Sequence, residues 1–208
     1  RLVGLDVSPT ALKLAAKRLA LHERQAELAQ LQEDTNRIPL ESNSVDLVHT
    51  SGVLHHVKNL DEALKEIRRI LKPGGTLRVM VYNYNSVWLH LYTAYIHQIA
   101  MGLYTEDPVL EAFRRTTDGP HCPISNCYTP TAFVDTVQRV GFQGRYTGSS
   151  VSLTELIALP RRFDAIGDRR LAREHRDFLS SLEFNALGHP LHEGHIAGIN
   201  AHYEFTKT

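Results

Sequence analysis

The amino-acid sequence predicts an α/β fold with a doubly wound, mainly parallel sheet. Over residues 1–85, short apolar segments alternate with amphipathic segments of helical period, as in strands joined by crossover helices. Helices normally cover such a sheet on both faces, and we expect both faces to be covered here. The closing segment NAHYEFTKT is strand-like again and follows a long excursion, which favours an antiparallel last strand at the sheet edge.

The first strand is predicted over LVGL and ends at Asp6. Ser8 is a favourable N-cap and Pro9 suits the first helical position, so a helix should run from there to about His22. The segments AELAQLQED and SVDLVHTS predict the next two strands.

The segment NLDEALKEIRRILKPGG shows the strongest helical period in the chain, and we expect Pro73, Gly74 and Gly75 to end that helix. TLRVMVYN should form the strand that follows. Beyond Asn85, an aromatic-rich segment over residues 86–104 predicts a helix that serves either as core or as an apolar lid. The later segments predict a loop over 117–130, a capped helix ending at Gly141, a strand over 143–152 and interrupted helices over 153–187.

Composition narrows the functional classes. The 208 residues include 23 basic and 23 acidic side chains, and this balance argues against a nucleic-acid-binding protein. The two cysteines are too few for a disulfide scaffold, so we expect a cytoplasmic protein. No apolar run is long enough to predict a membrane span.

Three segments together resemble the class I S-adenosylmethionine-dependent methyltransferases, in particular the type 11 small-molecule branch. They are GLDVSPTALKLAAKRL, EDTNRIPLESNSVDLVHTSGVLHHV and LDEALKEIRRILKPGGTLRVMV. The resemblance implies a Rossmann-like sheet of strand order 3-2-1-4-5-7-6, S-adenosyl-L-methionine as cofactor and a small methyl acceptor. If the aromatic-rich segment over residues 86–104 is a lid, we expect that acceptor to be partly apolar. It also implies one domain over 1–208, with a cofactor-binding part over 1–85, substrate or lid elements and late helices over 86–199, and a last strand over 200–208.

The chain opens at what resembles the second strand of that family, with no glycine-rich G-x-G loop ahead of Asp6. We therefore expect an N-terminally truncated sheet in which the central first strand is missing. The strands that would flank it should either leave a gap or pair directly. Because a central strand buries several large apolar side chains, we also expect the isolated chain to be marginally stable or to aggregate.

The resemblance assigns six residues to cofactor binding. Asp6, followed by Val7, would accept hydrogen bonds from the ribose hydroxyls, since a carboxylate offers only acceptors. Asp34 and Thr35 would recognise adenine, and Ser51 and Gly52 would pass beneath the methionine part. Each has a structural alternative, namely a helix-capping Asp, an Asx turn and a strand-to-helix turn.

The catalytic candidate is His56. His55 and His56 are adjacent and cannot share a helix face, so one should face the cleft and the other the protein interior. Histidine titrates near neutrality and could remove a proton from the acceptor, although a structural histidine is the alternative. Tyr82, Asn83 and Tyr84 end a predicted strand, where they would either orient an acceptor or act only as strand-end polar groups.

No metal site is predicted from the cysteine and histidine spacing. Cys122 and Cys127 lack a second matching pair, and the segment HEGH is one residue short of the helical zinc motif H-E-x-x-H. The late histidines His189, His192 and His195 could instead face a substrate.

Two other functions remain open. An NAD-dependent oxidoreductase would explain Asp6, but the sequence contains no Tyr-x-x-x-Lys pair. A non-catalytic binding or scaffold domain would explain a chain without the glycine-rich loop.

Overall fold

The computed structural model describes residues 1–32 and 37–208. The first half contains β1 (Val3–Asp6), α1 (Pro9–Leu21), β2 (Glu27–Gln30), β3 (Val45–Ser51), a 3₁₀ turn (Leu54–His56), α2 (Leu60–Ile70) and β4 (Leu71–Asn83). A π-helix (Trp88–Ala100) follows, then α3 (Val109–Asp118), β5 (Cys127–Tyr128), α4 (Pro130–Arg139) and β6 (Phe142–Ser150). The last part contains α5 (Leu153–Ala158), a 3₁₀ turn (Leu159–Arg161), α6 (Arg162–Gly167), α7 (Arg173–Ser180), β7 (Glu183–Phe184), β8 (Pro190–His192), β9 (His195–Ile196) and β10 (Asn200–Lys207).

The main sheet has five strands, with the order β3-β4-β10-β6 and with β5 added to β4. β3 and β5 run parallel to β4, whereas β10 runs antiparallel to both β4 and β6. The predicted α/β fold with an antiparallel last strand is therefore confirmed, but the expected edge position of that strand is wrong, because β10 pairs with β4 on one side and β6 on the other.

β1 and β2 form a separate parallel sheet of two strands. Within the described residues β1 and β3 do not pair with each other. Direct pairing, one of the two arrangements expected for these strands, therefore does not occur. No residue of β1, α1 or β2 is buried, in contrast to the body of the protein. The N-terminal β1–α1–β2 unit thus contributes little to the hydrophobic core.

Helix starts follow the predicted capping chemistry. The Ser8 hydroxyl accepts from the Ala11 N–H at 3.3 Å, and the Thr129 hydroxyl accepts from the Ala132 N–H at the same distance. α2, by contrast, ends at Ile70, so the prediction that Pro73 and the glycines after it end the helix is wrong. Proline disfavours helical geometry in the residue before it, and here the chain is already extended at Leu71 and enters β4.

The main sheet buries one face against α2 and α4. Leu77, Val79 and Val81 of β4 share this core with Phe133 of α4 and Leu64 of α2. The opposite face of the sheet carries exposed polar side chains from β3, β4 and β10, namely His49, Arg78, His202 and Glu204. The expectation that both faces are covered is thus wrong for the described residues, because β4 and β10 alternate buried and exposed side chains.

A second core forms around the π-helix. Leu91 and Ala94 of this helix pack against the later helical segments, at Leu159, Leu171 and Leu179. The aromatic-rich segment therefore forms core, which was one of the two predicted alternatives.

The segment HEGH forms a hairpin, with Glu193 and Gly194 at φ values of 49° and 77° between β8 and β9. Across the part of the chain that the structure describes, no helix is long and apolar enough to cross a membrane.

A matched pair of leucine truncations tests this division of the core. Leu64 is 0% exposed in α2, whereas Leu14 in α1 is 56% exposed. We expect Leu64→Ala to lower the free energy of unfolding by about 2–5 kcal/mol, because it removes buried methyl groups and leaves a cavity. Leu14→Ala should change it by no more than about 0.5 kcal/mol. Urea unfolding followed by Trp88 fluorescence measures both, and equal losses would contradict this assignment of the core.

Candidate active site

Asp6 lies at the carboxyl end of β1, where the chain turns into α1. Its Oδ1 accepts from the Ser8 N–H at 2.8 Å, as the capping alternative predicts. Among residues 1–32 and 37–208, no hydrogen-bond donor contacts Oδ2 of Asp6. Val7 is exposed, and its carbonyl accepts from the Gln30 amide at 3.0 Å. Asp34 and Thr35 lie outside the described residues.

Ser51 and Gly52 lie at the carboxyl end of β3. Ser51 is exposed and pairs with Met80 of β4, and the Gly52 N–H donates to the Met80 carbonyl at 3.2 Å. Gly52 has a φ of +75°, whereas a Cβ at this position would meet only the Met80 Cε at 3.8 Å. Glycine is therefore favoured here by the positive φ of the backbone and not by a lack of room for a side chain.

The structure thus places the predicted cofactor residues in two groups. Asp6 and Val7 belong to the β1–β2 sheet, while Ser51 and Gly52 belong to the main sheet. Both groups follow the carboxyl ends of parallel strands, but in the described part of the chain no hydrogen bond joins them.

The two adjacent histidines face different surroundings, as their spacing predicts. His55 is fully buried and stacks on Tyr82 with 3.8 Å between ring centroids. Burial, with a smaller contribution from His56, lowers the pKa of His55 to about 4, so the ring is neutral at pH 7. His56 retains 33% side-chain exposure and is the histidine that a ligand can reach.

The ring orientation of His56 is set by a main-chain carbonyl. Its Nδ1 lies 2.7 Å from the Ile124 oxygen, and since a carbonyl can only accept, Nδ1 must carry the proton. Nε2 then holds the free lone pair and lies 3.8 Å from Oδ1 of Asp118. This distance is too long for a hydrogen bond.

Asp118 is held by two hydroxyl groups. The Tyr82 hydroxyl donates to Oδ1 at 2.9 Å, and the Ser125 hydroxyl donates to Oδ2 at 2.6 Å. Burial and the contact with Asp118 raise the pKa of Tyr82, which keeps its proton available for this bond. Cys122 completes the group, with its Sγ 3.8 Å from Nδ1 of His56. Ligand atoms of His56, Asp118 and Cys122 lie within 4.8 Å of one another, so these three side chains could hold a metal ion.

Sequence reasoning missed Asp118. It ends α3, a helix that was not predicted, and the loop after Gly119 at φ 88° brings Cys122 back towards it. The three residues predicted at this strand end differ in position: Tyr82 contacts this site, Asn83 is buried on the other side of β4, and Tyr84 follows the strand, with its N–H donating to the Tyr128 carbonyl. The Asn83 amide donates to Ser149, Gly198 and Asn85, which is the structural role that the alternative predicted.

A cavity of about 410 Å³ lies on the α4 side of the main sheet. Its lining includes Asn83, Thr131, Arg145, Tyr146, His192 and His195. Two of the late histidines thus share a cavity, but none of the predicted cofactor residues that the structure describes lines it. Because Asn83 and Tyr82 point to opposite faces of β4, the cavity and His56 lie on different sides of the sheet.

Comparisons with known proteins show similarity to methyltransferases. Residues 1–79 match the family model described as a methyltransferase domain. Over 62 residues the chain is 44% identical to the ubiquinone/menaquinone biosynthesis C-methyltransferase UbiE of Cupriavidus necator. That match covers 30% of this chain and 25% of the relative, so the chain spans about a quarter of that protein's length.

Solved structures extend the likeness to the whole chain. The YcgJ protein from Bacillus subtilis aligns with a TM-score of 0.57 and 13% identity, covering 99% of this chain and 81% of that one. A possible histamine N-methyltransferase from Thermotoga maritima aligns with a TM-score of 0.56 and 16% identity, covering 100% and 73%. At these identities the likeness concerns the fold. Residues 1–79 are therefore similar to the methyltransferase domain of that family model, and the chain as a whole shares the Rossmann-like α/β fold of these solved structures.

Proposed function

We propose that this protein transfers a methyl group from S-adenosyl-L-methionine to a small organic acceptor. The observation that carries the proposal is the position of Gly52 and His56, which follow β3 directly at the carboxyl end of the parallel strands. Ligands of α/β sheets bind at this end. The family match over residues 1–79 includes both residues and Asp6.

The residues at the strand ends fit the cofactor's chemistry. Asp6 keeps one carboxylate oxygen for the ribose hydroxyls, and its other oxygen is anchored to the Ser8 N–H. Ser51 and Gly52 would lie along the methionine part, and Asp34 and Thr35 are proposed for adenine. When bound, the cofactor supplies an electrophilic methyl group on a sulfonium, so the chain itself must mainly position the acceptor.

His56 is proposed as the proton acceptor. The Ile124 carbonyl fixes the ring with its Nε2 lone pair free, and that atom would take the proton of the acceptor's nucleophilic group. Asp118, 3.8 Å away, stabilises the charge that forms on the ring. Val53, which is 52% exposed beside the 3₁₀ turn, adds apolar surface and supports a partly apolar acceptor. A cytoplasmic location fits the two free thiols, Cys122 and Cys127.

A non-catalytic binding domain is the second candidate. It is favoured by the separation of β1 from β3, which leaves the cofactor residues in two sheets. No structural observation favours an NAD-dependent oxidoreductase. A methyltransferase would bind S-adenosyl-L-methionine and transfer its methyl group, whereas a non-catalytic binding domain would not transfer it.

Calorimetry with S-adenosylmethionine, S-adenosylhomocysteine and NAD tests cofactor choice. We expect the two adenosyl compounds to bind and NAD not to bind. Asp6→Asn should weaken S-adenosylhomocysteine about 10- to 100-fold, because it removes a charged acceptor while keeping the one that Ser8 uses. Asp46→Asn is the matched control, since Asp46 is exposed on β3 and pairs with Lys72. Binding of NAD alone would exclude the methyltransferase proposal, and binding of none would favour a scaffold.

Replacing His56 tests the proton acceptor. We expect His56→Gln to lower kcat about 100- to 10,000-fold, the usual contribution of a positioned base, without changing the affinity for S-adenosylhomocysteine. Release of S-adenosylhomocysteine is measured with the best acceptor found in a panel of small phenols, quinols and amines. The control is His22→Gln, an exposed histidine at the end of α1. A variant with unchanged kcat would show that His56 is structural.

A further inference from the structure

Three ligand-type side chains converge beside Tyr82, and we refer to His56, Asp118 and Cys122 as the His56 cluster. They come from the 3₁₀ turn after β3, the end of α3 and the loop that follows α3. Each is partly buried, so the cluster is shielded but open to solvent on one side. An imidazole, a carboxylate and a thiolate are the ligands that zinc takes in proteins.

The distances within the cluster suit a small tetrahedral ion. Asp118 Oδ1 lies 3.8 Å from His56 Nε2, Cys122 Sγ lies 3.8 Å from His56 Nδ1, and one ligand atom from each residue lies within 4.8 Å of the others. Zinc–ligand bonds of about 2.0–2.3 Å at tetrahedral angles place ligand atoms about 3.3–3.7 Å apart. Coordination through Nε2 therefore requires the Cys122 side chain to move from the Nδ1 edge of the ring towards Nε2 and the three side chains to draw closer together.

The contacts behind these side chains are those that usually orient metal ligands. The His56 Nδ1–H donates to the Ile124 carbonyl, which leaves Nε2 as the coordinating atom. Hydroxyl groups of Tyr82 and Ser125 each hold one oxygen of Asp118. The cluster therefore already contains ordered ligands and their outer hydrogen bonds.

A cysteine nucleophile activated by histidine is a poorer explanation of the same group. The His56 nitrogen nearest to Cys122 is Nδ1, at 3.8 Å, but its proton points to Ile124. Nδ1 has no lone pair to accept the thiol proton. Cys122 itself donates to the same Ile124 carbonyl at 3.3 Å.

We infer that the His56 cluster binds a zinc-class divalent ion through His56 Nε2, an Asp118 oxygen and the Cys122 sulfur. Three protein ligands leave the fourth position to water or another oxygen ligand. Coordination displaces the thiol proton to solvent, so binding weakens as the pH falls. Metal binding and proton acceptance use the same nitrogen of His56 and exclude each other. The metal site does not depend on methyl transfer, so it can fail or succeed independently of the proposed function.

Zinc titration of the protein tests the inference directly. With a chromogenic chelator as competitor, we expect one Zn²⁺ per chain to bind and Mg²⁺ not to compete. Co²⁺ should give a tetrahedral visible spectrum with a thiolate charge-transfer band. Cys122→Ser should abolish that band and weaken Zn²⁺ at least 100-fold, whereas the matched control Cys127→Ser should retain both. Tyr82→Phe keeps the ring that stacks on His55 but loses the hydroxyl on Asp118, and it should weaken Zn²⁺ about 10- to 100-fold.

Alkylation provides a second readout that needs only the unaltered protein. Bound Zn²⁺ should slow the reaction of iodoacetamide at Cys122 but not at Cys127, as measured by peptide mass spectrometry. The inference is overturned if no Zn²⁺ binds at one equivalent, if Cys122→Ser binds as tightly as the unaltered protein, or if zinc protects neither cysteine.

Discussion

The two-residue repeat of β4 is the constraint on which the rest of the structure depends. Leu77, Val79 and Val81 face α2 and α4, so this side of the strand is committed to the core. Tyr82 faces the other side, where it stacks on His55 and donates to Asp118. A shift of one residue would exchange the two sides, so the same register that closes the core also places the site.

The site itself depends on groups that are oriented by hydrogen bonds to their neighbours. His56 is oriented by a main-chain carbonyl and Asp118 by two hydroxyls, so neither must be ordered at the moment a ligand binds. His55 contacts the rings of both His56 and Tyr82 as a neutral buried side chain. Neither of its nitrogens has a hydrogen-bond partner among the residues described. Ring contacts, including the stacking on Tyr82, therefore hold His55 in position.

Local chemistry predicted much of this fold. Caps at Ser8 and Thr129, the helical period of α2 and the alternation of β10 are each encoded in a few neighbouring residues. The cofactor-binding roles of Asp6 and Gly52 come instead from the family resemblance, and they stay predictions. Asp118 could not be found, because its role arises only when α3 and the loop after it return to His56, 62 positions earlier in the chain. The exposed face of β4 also depends on which elements pack across the sheet, which periodicity does not specify.

The proposed function requires one adenosyl ligand to contact two separately hydrogen-bonded units, the β1–α1–β2 unit and the main sheet. Hydrogen exchange measured by mass spectrometry, with and without saturating S-adenosylhomocysteine, tests this requirement. Peptides covering residues 3–8 and 51–57 should become protected together, although they belong to different sheets. Protection confined to one of these segments, at saturation, would contradict it.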